Sequence, residues 1–300
     1  MAALLPFRTV NAFAPTPHAG NQAAVVIFPT DDPRASDDEY YRALSADFNL
    51  AETAFLVPKD TESKTPRYGL RWFTPEVEVP LCGHATLAAA AALFDLHPNA
   101  VEVEFETRWS GSLTARVLER GKAKRVSISL PIPAELRPAN PSEEAGARAA
   151  LKASSGVEDV VRVAHFNFGV IVEVPSSVDI EALKVDVAQF LPTYPELFII
   201  TQVSGASTNG AVINSRVFAP GVGIAEDPVT GAAHAALTQF YLGNGEGRAS
   251  VQAVKEGATE LDARQLSKRG GAMTCELVDG RAQLTGLGWL TAKGELEVLP

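Results

Sequence analysis

The amino-acid pattern predicts an α+β protein built from two similar halves, and three observations carry that expectation. The run from Leu87 to Phe94 is Ala and Leu almost throughout, and a helix with no polar face is buried on every side. The segment in front of it, Arg71-Trp72-Phe73-Thr74-Pro75, recurs as Arg216-Val217-Phe218-Ala219-Pro220. Cys82 follows the first Arg by 11 residues and Asp227 follows the second by 11, each ahead of a small-residue helix start. A repeat at about half the chain length signals two like halves. Many short strand-like runs and few amphipathic helices surround these segments, which is an α+β pattern. If the halves face each other, both helix N-termini point into one cleft, where their orphan N–H groups suit an anion.

Size and composition narrow the function classes. The chain has 300 residues, room for two domains of about 150 each. A net charge of −10 argues against a nucleic-acid partner, which would want a basic stripe. The longest strong apolar run ends at Asp95, short of a membrane span, and the segment Met1 to Pro6 is too short for a signal-peptide core. Two cysteines, Cys82 and Cys275, are too few for a disulfide framework. Reduced thiols and a cytoplasmic location follow as the expectation.

Taken in order, Phe7 to Phe13 and Gln22 to Phe28 are strand-like, joined through Gly20-Asn21. Gly and Asn there suit a turn with positive φ, or an Asn21 amide directed into a cleft. Ser36-Asp37-Asp38-Glu39 has the form of a capping box with Ser36 at the N-cap, opening a helix through Phe48. Asn49 to Val57 is a strand carrying Glu52 among Leu50, Ala54, Phe55 and Leu56. Apolar crowding of a carboxyl suits an acid/base working near neutral pH; the alternative is a solvated outer face. Val101–Phe105, Leu113–Leu118 and Val126–Leu130 are strands, with Gly111 and Gly121 as turns.

Pro131, Pro133, Pro138 and Pro141 mark the domain boundary. The first half is expected over 1–130, completed by a C-terminal strand at about 287–300, and the second over 131–286. Ala145–Ser154 is a short surface helix. Val160–Val174 holds a strand pair broken near Asn167–Gly169, and Ile180–Leu191 has a helical stripe. Leu197–Val203 and Ala211–Phe218 are strands. Glu226 and Asp227 precede Pro228, which opens the second helix to Tyr241, and Gly243–Gly247 ends it. Ala272–Val278 and Ala282–Thr285 close the chain.

The chemistry-bearing residues are few. The five histidines show no metal-ligand spacing, and Gly221-Val222-Gly223 lacks the rest of a dinucleotide fingerprint, so neither metal nor cofactor is expected. His84, in the first turn of a buried helix, is a proton carrier, a donor to a substrate oxygen, or a local cap. The helix N-terminus disfavours its protonated form. Cys82 at the same place gains thiolate character or is simply a small buried residue. Asp227 is an N-cap carboxylate, or it orients His84 or a substrate amine. His234, one turn into the second helix, reads as core.

Together these stretches resemble a known family. Gly20-Asn21, Asn49 to Phe55, Arg71 to Pro75, Cys82-Gly83-His84-Ala85-Thr86, Glu226 to Gly231 and Gln265 to Gly271 are similar to the phenazine-biosynthesis isomerase-like (PhzF-like) family, in family order over nearly the whole chain. The resemblance implies a diaminopimelate-epimerase-like fold: two pseudo-symmetric domains, each a barrel-like mixed sheet around a central buried helix, usually in a homodimer. It places the acid/base glutamate on Glu52, with His84 and Asp227 beside it. It also has the amides of Gly83 and Gly231 binding a substrate carboxylate, with Asn21, Cys82 and Ala232 lining the site. Ala232 stands where the family often has Ser, and Val212-Ile213-Asn214 where it tends to have Asp.

The activity this implies is a cofactor-independent isomerisation of a small carboxylate-bearing metabolite by proton transfer. One alternative is an epimerase or racemase using Cys82 and Asp227. The other is a small-molecule-binding or scaffold protein that keeps the cleft without the chemistry.

Overall fold

The computed structural model describes residues 4–194, 196–243 and 257–297. These form two compact units, one drawn from 1–130 and 285–300, the other from 131–284.

In the first unit, strands β1 (Leu5–Ala12), β2 (Asn21–Ile27), β3 (Glu52–Asp60) and β4 (Arg67–Phe73) are joined by the two-residue β5 (Glu78–Val79). Then come β6 (Glu102–Thr107), β7 (Ser112–Glu119), β8 (Ala123–Pro131) and, from the chain's end, β16 (Arg281–Leu296). The hydrogen-bonded order is β1-β2-β3-β4-β6-β7-β8-β16, and β16 pairs back to β1 from Leu5↔Leu296 to Ala12↔Gly288. Eight strands thus close a barrel and leave no free edge.

Helix α2 (Gly83–Leu96) fills it. Every residue from Gly83 to Phe94 is buried, as a helix without a polar face requires. Gly288 on β16 lets the barrel wall touch that helix, since a Cβ there would sit 2.9 Å from Ala91 Cβ and 3.1 Å from Leu87 Cδ2. Outside the barrel, α1 (Asp38–Phe48) packs Tyr41 flat on Phe55, ring centroids 4.2 Å apart, with Phe28 and Phe73 around them.

The second unit follows the same plan. Its strands are β9 (Leu136–Pro138), β10 (Arg162–Phe166), β11 (Gly169–Glu173), β12 (Leu197–Ala206), β13 (Gly210–Phe218), β14 (Glu260–Gln265) and β15 (Gly271–Val278), which lie side by side in that order. From β1 to β7 the pairings run antiparallel, parallel, antiparallel, parallel, antiparallel. From β10 to β15 they run identically. In both units the second parallel crossover contains the buried helix, α2 in one and α4 (Gly231–Leu242) in the other. The repeat in sequence is therefore a repeat in topology. Helix α3 (Pro141–Ser155) covers one face of the second unit with Phe190, Phe198 and Phe218 in the same cluster.

Several boundaries differ from expectation, each for a local reason. Ser36 is not the N-cap of α1, because Pro33–Ser36 forms a short 3-10 helix. Asp37 caps instead, its carboxylate accepting from the Glu39 and Tyr40 amides at 2.9 and 3.1 Å. Losing such a cap costs about 1 kcal/mol, so Asp37→Ala is expected to lower the urea midpoint by that much without changing its slope. The surface helix α3 is longer than Ala145–Ser154, since Asn140 and Glu143 form a capping box ahead of Pro141. Within Ile180–Leu191 only Val187–Phe190 is helical, as a 3-10 turn. Helix α4 starts at Gly231, not Pro228, and of its expected Gly243–Gly247 ending only Gly243 lies in the described residues. The closing strand expected at 287–300 runs from 281 to 296, with 298–300 outside the described residues.

Candidate active site

In the first unit the fold brings three distant stretches together. Asn49 ends α1 in the left-handed region, φ 49° and ψ 38°, which releases the chain into β3 with Glu52 as its first residue. Gly20 has φ +74°, and a Cβ there would lie 2.4 Å from Ala12 O. Only glycine makes that turn, and it delivers Asn21 to the start of β2. Strands β2 and β3 run parallel with Ala23 opposite Glu52. Helix α2 begins over these strand ends with Cys82 as N-cap, and no side chain caps it.

The result is a buried polar group. His84 Nε2 lies 3.0 Å from Glu52 Oε2. Asn21 Nδ2 lies 3.3 Å and Cys82 Sγ 3.5 Å from His84 Nδ1. The amide nitrogen can only donate, so Nδ1 of a neutral His84 accepts and the ring proton sits on Nε2, toward Glu52. At 3.0 Å the carboxylate lies off the N–H direction. Neither Glu52 Oε2 nor His84 Nε2 completes a hydrogen bond among the described residues.

Burial works against charge on His84, while the Cys82 sulfur and the Glu52 carboxylate work for it; the balance lies well above the ordinary histidine value. Burial also pushes the Cys82 thiol up, with the Glu52 charge adding to it. At neutral pH the sulfur is therefore a thiol, and the charge that favours a protonated His84 is that of Glu52. Two expectations are overturned here. Helix position predicted a readily ionised Cys82 and a disfavoured imidazolium; full desolvation and a carboxylate in contact outweigh the partial charges of one helix terminus.

In the second unit Asp227 is buried but is not the N-cap of α4. That position belongs to Thr230, as Cys82 holds it in α2. By helix register Cys82 therefore matches Thr230, and the equal spacing from the two arginines to Cys82 and Asp227 does not reflect equivalent positions. Asp227 lies in the preceding loop, where Thr230 Oγ1 donates to its Oδ2. Gln265 straps this loop to β14: its Nε2 donates to Asp227 O at 2.6 Å, and its Oε1 accepts from the Thr230 amide at 2.9 Å. Gln265 was visible in the sequence only as part of a motif, and its role depends on pairing across 38 residues. Gly231 opens α4, and Ala232 follows it with no hydroxyl to offer.

His234 is core, as expected. Its Nδ1 donates back to Thr230 O at 2.8 Å, just as Thr86 Oγ1 donates to Cys82 O in α2. Burial pushes the imidazole down to about 4. An unfolded histidine, at about 6.5, binds a proton that this one refuses. Its contribution to stability is thus full above pH about 6.5 and falls away as pH drops toward about 4. Urea midpoints across that window are expected to fall more steeply for the wild type than for His234→Gln; equal slopes would contradict a dry imidazole.

The donors of Glu52, Cys82 and His84, one from each residue, lie within 4.8 Å of one another. A wide cavity of about 920 Å³ elsewhere in the first unit contains none of the candidate residues. Both of its arginines are already matched, Arg71 by Asp38 and Glu78 and Arg108 by Glu78. Among the described residues no helix is long and apolar enough to cross a membrane.

Comparison with known proteins shows the family. Phenazine biosynthesis-like domain-containing protein 1 of Mus musculus is 34% identical, over 97% of this chain and 99% of that protein. An uncharacterized isomerase of Pseudomonas aeruginosa is 34% identical, over 98% and 99%. The crystal structure of a PhzF-family phenazine biosynthesis protein from Enterococcus faecalis superposes with a TM-score of 0.74 at 29% identity, covering 99% of this chain and all of that one. The α+β, pseudo-symmetric fold is the diaminopimelate-epimerase-like one. With the model of the phenazine biosynthesis-like proteins matching residues 10–293, the chain belongs to the PhzC-PhzF family.

Proposed function

We propose that this protein is an isomerase that moves a proton within a small carboxylate-bearing metabolite, with Glu52 as the general acid/base and no cofactor. Family membership and a relative named an isomerase support the reaction class. The observation that carries the assignment of Glu52 is its contact with His84: two ionisable groups, both buried, whose facing atoms lack a completed hydrogen bond. Buried polar atoms are nearly always satisfied, and exceptions mark functional places. A substrate hydrogen facing Glu52 Oε2 and a substrate oxygen accepting from His84 Nε2 would supply the missing partners.

The mechanism follows from atoms already placed. Glu52 takes the proton from an activated carbon, and the pair it makes with His84 stabilises the carboxyl in either state. His84, held at Nδ1 by Asn21 and Cys82, keeps its Nε2 within 3.0 Å of Glu52. The first-turn amides of α2, which no side chain caps, are donors for a carboxylate and for charge that develops in the transition state; in the second unit those of α4 are likewise uncapped. Gly83 and Gly231 are the residues assigned that task, and Asp227 the second unit's acid/base group.

The deciding experiment is a screen of small carboxylates in heavy water, following solvent deuterium into carbon, with wild type and Glu52→Gln side by side. Incorporation by wild type alone supports the reading. Incorporation that survives Glu52→Gln and disappears in Cys82→Ala transfers the chemistry to the thiol, as an epimerase would require. The raised Cys82 thiol speaks against that outcome.

A further inference from the structure

We propose that Glu52, Cys82 and His84 form a site for a borderline-soft divalent transition ion, with Zn²⁺ as its reference ligand, and that an ion seated there stops the proton transfer assigned to Glu52. The second half rests on the functional reading above; the first half does not.

The donor set comes first. A thiol sulfur, an imidazole nitrogen and a carboxylate oxygen lie within 4.8 Å of one another. Thiolate with imidazole selects zinc-like ions, while Mg²⁺ and Ca²⁺ want oxygen ligands. Three protein ligands with a fourth position left for water or substrate is the arrangement of a reactive zinc site.

Geometry comes second. Bond lengths of about 2.0–2.3 Å put tetrahedral donors about 3.5 Å apart. Cys82 Sγ and His84 Nδ1 are at 3.5 Å, and His84 Nε2 and Glu52 Oε2 at 3.0 Å. One ring nitrogen must serve, so side-chain shifts of about 1 Å close the set around an ion. Cys82 and His84 sit on the first turn of a rigid helix, and Glu52 on the first residue of a paired strand.

Unmet demand is the independent observation. Glu52 Oε2 and His84 Nε2 are buried with no hydrogen-bond partner among the described residues, although the residues are only 9% and 3% exposed. Among the described residues no Lys or Arg pairs with Glu52; the one cation facing it is His84, which gives up its proton when an ion takes a ring nitrogen. The charge count also closes. One carboxylate and one thiolate balance a divalent ion, and the protons of Cys82 and of the His84 imidazolium go to solvent as the sulfur–metal and nitrogen–metal bonds form. The occupied site is neutral, which removes the cost of burying unpaired charge. An ion bound this way takes the lone pair that Glu52 would use on substrate.

The test uses the full chain, stripped with a chelator and titrated with Co²⁺ in a thiol-free reductant. The expected result is one ion per chain with the visible bands of four-coordinate cobalt and a sulfur-to-cobalt charge-transfer band, all abolished by Zn²⁺ and untouched by millimolar Mg²⁺. Cys82→Ser should lose the charge-transfer band. Glu52→Gln should keep it while binding at least about tenfold more weakly, since even outer partners of a metal site are worth that much. Circular dichroism checks both variants for folding. If Cys82→Ser does not fold, Glu52→Gln and His84→Gln carry the comparison. A wild-type titration without the band, or affinity equal in wild type and Glu52→Gln, overturns the site. Deuterium exchange that continues with Zn²⁺ bound overturns the blocking claim alone. Metal binding in a protein that exchanges no metabolite leaves the site standing and removes the isomerase reading.

Discussion

Glu52→Gln is expected to leave the protein folded and to cut turnover of the metabolite found by the exchange screen about a thousandfold, within the range a general acid/base supplies. Glutamine has the shape of glutamate and can still face His84 across 3.0 Å, so packing at the start of β3 is kept. What disappears is the group that carries the proton. Removing one member of a buried ion pair is costly when the other stays charged. Here His84 can shed its proton, and the loss of stability is correspondingly small. Glu52→Asp is the informative companion. It keeps the carboxyl but draws it back by one methylene, and misplacement of about 1 Å costs about a hundredfold. Turnover of Glu52→Gln within tenfold of wild type would refute the role given to Glu52, whatever the aspartate variant does.

The parts of the fold that could be seen in the sequence are those decided locally. Leu87–Phe94 has no polar face, and α2 is buried throughout. Arg71, Phe73 and Pro75 repeat as Arg216, Phe218 and Pro220, and the two units repeat strand for strand. What escaped was decided from far away. Pro228 looks like the first residue of a helix, but Gln265 takes the Thr230 amide and the Asp227 carbonyl, which holds residues 227–230 as a loop and delays α4 to Gly231. The end of the chain was expected in two pieces, Ala282–Thr285 and a strand at about 287–300. Residues 288–296 pair with β1, and with 281–287 they form one strand of sixteen residues. The proximity of Glu52 to His84 was not written in any spacing either. Thirty-two residues separate them, and only resemblance to a family suggested they meet.

The two arginines of the repeat then make a sharper test of how the units are built than either does alone. Arg216→Met is expected to cost about 3–5 kcal/mol, the usual result of breaking a buried pair from one side, and Arg71→Met clearly less. Both side chains grip a glutamate with two parallel hydrogen bonds: Arg71 to Glu78, and Arg216 to Glu226 at 2.7 and 3.0 Å. Both also lie over the Phe two residues on, 5.1 and 5.2 Å from the ring centroid. The difference is in what remains after removal. Glu78 keeps Arg108 at 3.0 Å, and Asp38 is half exposed and can turn to water. Glu226 has no second cation among the described residues, and the carbonyls of Ile180 and Leu183 lose their shared donor as well. At about 2–4 °C per kcal/mol for a unit of this size, the Arg216 variant should melt roughly 10 °C early. Because Glu226 precedes Asp227 in the chain, freeing it also loosens the loop that presents Asp227, so turnover should fall with stability. In Arg71→Met, Glu52 and His84 keep their own supports and turnover per folded molecule should hold. Equal melting shifts for the two variants would mean that the second cation and the exposed carboxylate of the first unit count for nothing, and that the repeat is energetic as well as topological.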